Sequence, residues 1–140
     1  MYATQQDLID RFGETELAQL SDRAGSGAID PAVVARKLAD AAAEIDSYLV
    51  GRYTLPLNPV PTVLVRLACD LARYHLYDDR ATEQVAQRYR DAIRFLEQVA
   101  KGAVQLGVVP DGTPAVPSAA PEFDAPPRVF DRKSLRDFLA

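Results

Sequence analysis

A chain of 140 residues, 48% hydrophobic and 26% charged, carries enough apolar side chains for one modest core with appendages. Its formal net charge of −4 and pI of about 4.9 disfavour tight binding to phosphate backbones, which takes a basic face, so no sequence-specific nucleic-acid binding is expected. No apolar run approaches the ~20 residues of a membrane span, and the single Cys69 has no partner for an internal disulfide, which suits a reducing compartment.

MYATQQDLIDRF has neither a basic start nor a long apolar stretch, so it is not expected to act as a secretory signal. Thr4 with Asp7 forms a capping-box pattern, and Leu8, Ile9 and Phe12 give a short amphipathic helix that Gly13 stops. A second short helix follows over Glu14 to Leu20, and SDRAGSGA reads as a loop. Asp30-Pro31 is a sharp helix start, an N-cap side chain followed by proline at the first helical position. Val34, Leu38, Ala41, Ile45 and Tyr48/Leu49 then recur at helical spacing until Gly51, which predicts a helix over 31–50.

RYTLPLNPVP, residues 52–61, reads as extended because Pro56, Pro59 and Pro61 exclude a helix. Such a loop loses little conformational entropy on docking, which suits a contact surface. Arg52 and Tyr53 are its expected polar and aromatic contacts, with Leu57 beside them. The plainer alternative is a connector whose Leu55 and Leu57 cap the core. The next predicted helix covers 62–78, with Leu64, Leu67, Ala68, Leu71 and His75 on one stripe and Arg66, Asp70 and Arg73 on another face. The last covers 82–101, with Val85, Tyr89, Ala92/Ile93, Leu96 and Ala100 inward, a Glu97–Lys101 ion pair outside and Gly102 as the stop. Leu38, Ile45, Leu67, Leu71, Ile93 and Leu96 are the expected core.

AVQLGVV, 103–109, has the composition of a short strand. Residues 110–127 hold six of the ten prolines and read as a linker, which at roughly 3.1 Å per residue would reach about 55 Å. RVFDRKSLRDFLA, 128–140, is too short to persist as an isolated helix and too apolar for a plain tail. It is expected to dock on another chain through Phe130, Leu135 and Phe138, with Val129 beside them and Arg128, Arg132 and Arg136 meeting acids. The fold class is therefore all-α: a bundle of three main helices plus short N-terminal helices over 1–109, with an extended Pro-rich C-terminal arm.

Catalytic chemistry is hard to find. His75, Asp78 and Asp79 in HLYDD share one helical face and have the residue types of a metal site. The chain has one His, however, and no matching carboxylate motif on another helix, so His75 reads as a continuation of the Leu67–Leu71 stripe and the aspartates as a helix break. Asp79 or Thr82 would cap the helix that follows. Cys69 reads as a buried, inert thiol. AGSGA follows no strand and lacks phosphate-loop spacing. No catalytic residue, metal or other cofactor is expected.

The stretches MYATQQDLIDRFGETELAQLSDR, AEIDSYLVGRYTLPL, PTVLVRLACDLARYHLYDDRATEQV and the terminal RVFDRKSLRDF resemble the Mu-like phage head–tail connector (adaptor) family, over essentially the whole chain. The resemblance implies a non-enzymatic subunit of the virion neck, made in the cytoplasm of a bacterial host. Such subunits form a homo-oligomeric ring, dodecameric on the portal, and offer a platform to the tail-side neck protein while DNA passes through. Two other classes stay open: a small helical dimeric regulator of the cytoplasm, and a metal-dependent enzyme using His75, Asp78 and Asp79.

Overall fold

Thr4 opens the first helix as its spacing predicts: the Asp7 amide donates to the Thr4 hydroxyl while the Asp7 carboxylate accepts from the Thr4 backbone N–H at 2.8 Å. In the computed structural model, which describes residues 1–107, this helix α1 spans Gln5–Phe12 and α2 spans Glu14–Ser21. Gly13 joins them at φ +91, a left-handed conformation that a side chain would strain. The Ser21 hydroxyl, fully buried, donates to the Leu17 carbonyl and accepts from the Asp30 amide at 3.0 Å, locking the end of α2 to the start of the next helix. Between them the Asp22 carboxylate accepts from the amides of Ser26 and Gly27, so SDRAGSGA is a held turn.

Helix α3 spans Pro31–Leu49, α4 Thr62–Tyr77 and α5 Glu83–Ala100, each within one or two residues of the spacing-based range. Asp30 caps α3, its carboxylate accepting from Ala32 and Val33. Pro61 precedes the first turn of α4, and Thr82, not Asp79, caps α5. A 3-10 turn at Asp78–Arg80 joins α4 to α5, with Asp78 at φ +58. Helix α4 packs between α3 and α5, α3 also meets α5, and α1 and α2 lie across one side of α3 and α4. Val34, Leu38, Ala41, Ile45 and Leu49 meet Leu64, Leu67, Leu71 and Leu96 in one core.

Four expectations need correction. The 52–61 stretch is a succession of turns and bends, with Leu55-Pro56 and Asn58-Pro59 cis, instead of an extended loop. Ile93 is half-buried, and the α5 seam runs through Ala92, Leu96 and Val99; at 3.6 residues per turn the inward face falls one residue before Ala100. Glu97–Lys101 is absent from the ion pairs among the described residues, both side chains being exposed, where such pairs contribute little. Residues 103–107 form turns, not a strand: Ala103 and Val104 donate back to the Gln98 carbonyl and wrap up the end of α5. The predicted linker 110–127 and docking segment 128–140 lie outside the described residues.

Candidate functional site

The residues predicted to meet a partner within the fold lie just after α3, against the last described turn of the chain. Arg52 and Tyr53 follow α3 directly, and both their amides donate to the Leu49 carbonyl. That turn sends Tyr53 inward, where it is buried, and its hydroxyl accepts from the Leu106 amide at 3.4 Å. Leu57 is buried too, and Leu55 packs half-buried against the same core. Two of the three expected contact side chains therefore point into their own subunit, because a loop with this many apolar residues finds core to cover. Arg52 is the exposed one. Its guanidinium lies across Gly102, close enough that a Cβ there would come within 2.7 Å of it, and Gly102 at φ +80 takes a backbone conformation suited to glycine. This sets a cation at the C-terminus of α5, where the helix carbonyls favour one. The Tyr2 hydroxyl donates to Asp46, which ties the N-terminal residues to α3.

Three helices converge on Glu44 of α3. His75 Nε2 lies 2.9 Å from its Oε2, and the Tyr89 hydroxyl donates to its Oε1 at 2.6 Å. Tyr74 stacks on Tyr89 with ring centroids 3.9 Å apart, and both rings meet His75 edge-on. Burial, followed by the hydrogen bond to Glu44, pushes the Tyr89 hydroxyl pKa well above its ordinary value. His75 thus pairs with a carboxylate on α3, while Asp78 and Asp79 sit exposed beyond the end of α4. Among the described residues no group of three His, Cys, Asp or Glu side chains is placed to hold a metal ion. Two aromatic residues with polar tips near an inward stripe, Tyr74 and Tyr89, were the available signal that a polar partner was needed there.

A second cluster centres on Arg73, which the helical wheel places on the outer face of α4. Its guanidinium donates to Glu16 of α2 at 2.7 Å and lies 4.2 Å from the centroid of the Phe12 ring. The Tyr77 hydroxyl donates to the same Glu16 oxygen at 2.6 Å. Arg73 Nε is buried with no hydrogen-bond partner among the described residues, and Phe12 of α1 and Glu16 of α2 both lie against this guanidinium. Neither cluster contains a nucleophile next to a base, and in both the polar groups hold helices together. No helix among the described residues is long and apolar enough to cross a membrane.

Sequence comparison finds relatives along nearly the whole chain. The profile of the family described as Bacteriophage Mu, Gp36 matches residues 2–125. The Mu-like prophage FluMu protein gp36 of Haemophilus influenzae is 40% identical over 139 residues, covering 99% of each chain. Gene product J of Escherichia phage Mu is 41% identical over 139 residues, covering 94% of this chain and 95% of its own. The chain belongs to the phage Mu Gp36 family.

Proposed function

We propose that this chain is a structural head–tail connector subunit, an adaptor that forms a ring in the virion neck between the portal and the tail-side neck proteins and lets DNA pass. The observation that carries the reading is membership of a phage Mu family over residues 2–125, with relatives from phage Mu and a Mu-like prophage. The structure supports it in two ways. The half-buried polar clusters at Glu44 and Arg73 are engaged in pinning helices, which suits a rigid building block. The last described turn lies beside Arg52 and Tyr53, and 33 residues of sequence follow it, a length sufficient to reach another subunit.

In this reading residues 128–140 seat on the portal or an adjacent connector subunit. Phe130, Leu135 and Phe138 are the apolar anchors, Val129 adds to them, and Arg128, Arg132 and Arg136 pair with acids. Arg52 faces the neighbouring ring subunit or the next neck protein. The role needs no cofactor and no catalytic residue.

The test is co-expression of the full chain, and of a chain ending at residue 127, with the portal protein of the same phage. Electron microscopy of the purified complexes should find a ring on the portal with the full chain and a bare portal with the shortened one. A full chain that stays dimeric and never joins the portal would overturn the connector reading. A shortened chain that assembles as well as the full one would overturn the docking role of 128–140.

A further inference from the structure

One surface of the bundle is left over by this account. Arg11 and Phe12 of α1, Arg66, Leu67 and Asp70 of α4, and Arg88, Asp91, Ala92 and Phe95 of α5 line an open cleft of about 520 Å³. Arg11, Arg66 and Arg88 are exposed, and none of them makes an ion pair among the described residues. Of the two acids, Asp91 already accepts from Gln87 at 2.8 Å and has Arg94 at 3.9 Å. Asp70 is half-buried, and burial raises its pKa against the opposing pull of Arg88, Arg66, Arg11 and Arg73. Three guanidinium groups thus stand over one remaining carboxylate, beside two half-buried phenyl rings, in a protein of net charge −4. That combination fits a short acidic segment carrying an aromatic side chain.

The chain contains one. Glu122-Phe123-Asp124 is the only place beyond residue 107 where two acids flank an aromatic residue, and no cation occurs between 108 and 127. The basic segment 128–140 would meet like charge in the same cleft. Reach is sufficient. Fourteen residues, 108–121, separate the segment from the described fold, a length that could bridge up to about 46 Å at full extension. The cleft lies about 12 Å back along α5 from its C-terminus. A tether long enough for that distance makes the docking intramolecular, so it does not depend on the protein concentration. The family match also runs to residue 125, just past this segment.

We propose that Glu122-Phe123-Asp124 docks in the α1–α4–α5 cleft of its own chain, its carboxylates on Arg11, Arg66 and Arg88 and Phe123 against Phe12 and Phe95. The arm is then clasped partway along its length, and three residues separate the clasp from residues 128–140, so in the connector reading their partner sits beside this cleft. The indole test reads the clasp alone, apart from portal binding.

The sequence has no tryptophan, so Phe123→Trp in the full chain provides a single indole reporter. At low salt its emission should be blue-shifted and its quenching by acrylamide severalfold slower than in the same chain also carrying Arg66→Ser and Arg88→Ser. High salt should weaken the protection in the parent. Because Arg66 and Arg88 are exposed, the fold should survive, which circular dichroism checks. As a second variant pair, Arg66→Glu with Arg88→Glu should expose the indole, and adding Glu122→Lys with Asp124→Lys should restore protection. An indole equally exposed in all chains overturns the proposal, as does protection indifferent to the arginines. Protection that appears only as protein concentration rises also overturns it, since the segment would then occupy a second copy.

Discussion

The Leu106 amide donates to the Tyr53 hydroxyl at 3.4 Å across 53 positions of sequence, so the loop after α3 and the last described turn of the chain are one structural unit. Leu106 and Tyr53 are both buried, and the amide would otherwise lack an acceptor. Tyr53→Phe keeps the ring and deletes the acceptor. It should lower stability by about 1 kcal/mol in urea unfolding, with helix content unchanged. No measurable loss would mean that the Leu106 amide finds another partner.

Leu71 of α4 has no exposed surface and belongs to the one core of the bundle. Leu71→Ala should destabilise the domain by about 2–5 kcal/mol, the sum of lost burial and a cavity that rigid helices cannot close. Ile93→Ala removes a half-buried side chain and should cost about half as much. Equal losses in denaturant unfolding would place Ile93 in the core after all.

Those two residues show what was legible in the sequence. Helix starts and stops were, because Thr4 with Asp7, Asp30 with Pro31, and Thr82 satisfy amides only two or three residues away. The inward stripes were readable to within one residue, which is enough to exchange Val99 for Ala100. The partnerships that fix how helices meet were not. Tyr77 reaches Glu16 across 61 positions, Tyr89 reaches Glu44 across 45, and nothing local to either residue specifies the other. Tyr53 and Leu57 turn inward for the same reason: whether a loop side chain faces out depends on the core it folds onto.

Asp22 predicts acid sensitivity in the α2–α3 turn. Hydrogen bonds from the Ser26 and Gly27 amides hold its carboxyl below its ordinary value of 3.8. The unfolded chain therefore takes up a proton first on acidification. The stabilisation is full above 3.8 and is lost as pH falls through the depressed folded-state value. Asp22→Ala should be less stable than wild type at neutral pH, and the gap should shrink as pH is lowered through that window. A gap that stays constant in pH-dependent unfolding would show that the carboxylate charge contributes nothing.

Burial pushes the Cys69 thiol up to about 11, and no part of the residue is exposed. Since the thiolate is the reactive form, native protein at neutral pH should label slowly with a disulfide-exchange reagent and rapidly once unfolded in urea. Stoichiometric labelling within the mixing time in native buffer would mean that α4 opens readily from α1.

Glu44 and His75 separate an anchor from its neighbour. Glu44 accepts from Tyr89 at 2.6 Å and pairs with His75 at 2.9 Å, so truncating it strands two half-buried polar groups on two other helices. Glu44→Ala should cost about 1–3 kcal/mol. His75→Gln leaves the Glu44–Tyr89 bond intact and supplies an amide that can donate to the same carboxylate, so its cost should stay under about 1 kcal/mol. If the connector role holds, His75→Gln should also leave ring formation on the portal unchanged. The decisive comparison is between the two variants in one unfolding series. A His75→Gln loss as large as that of Glu44→Ala would make the imidazole, not the carboxylate, the group around which α3, α4 and α5 are organised.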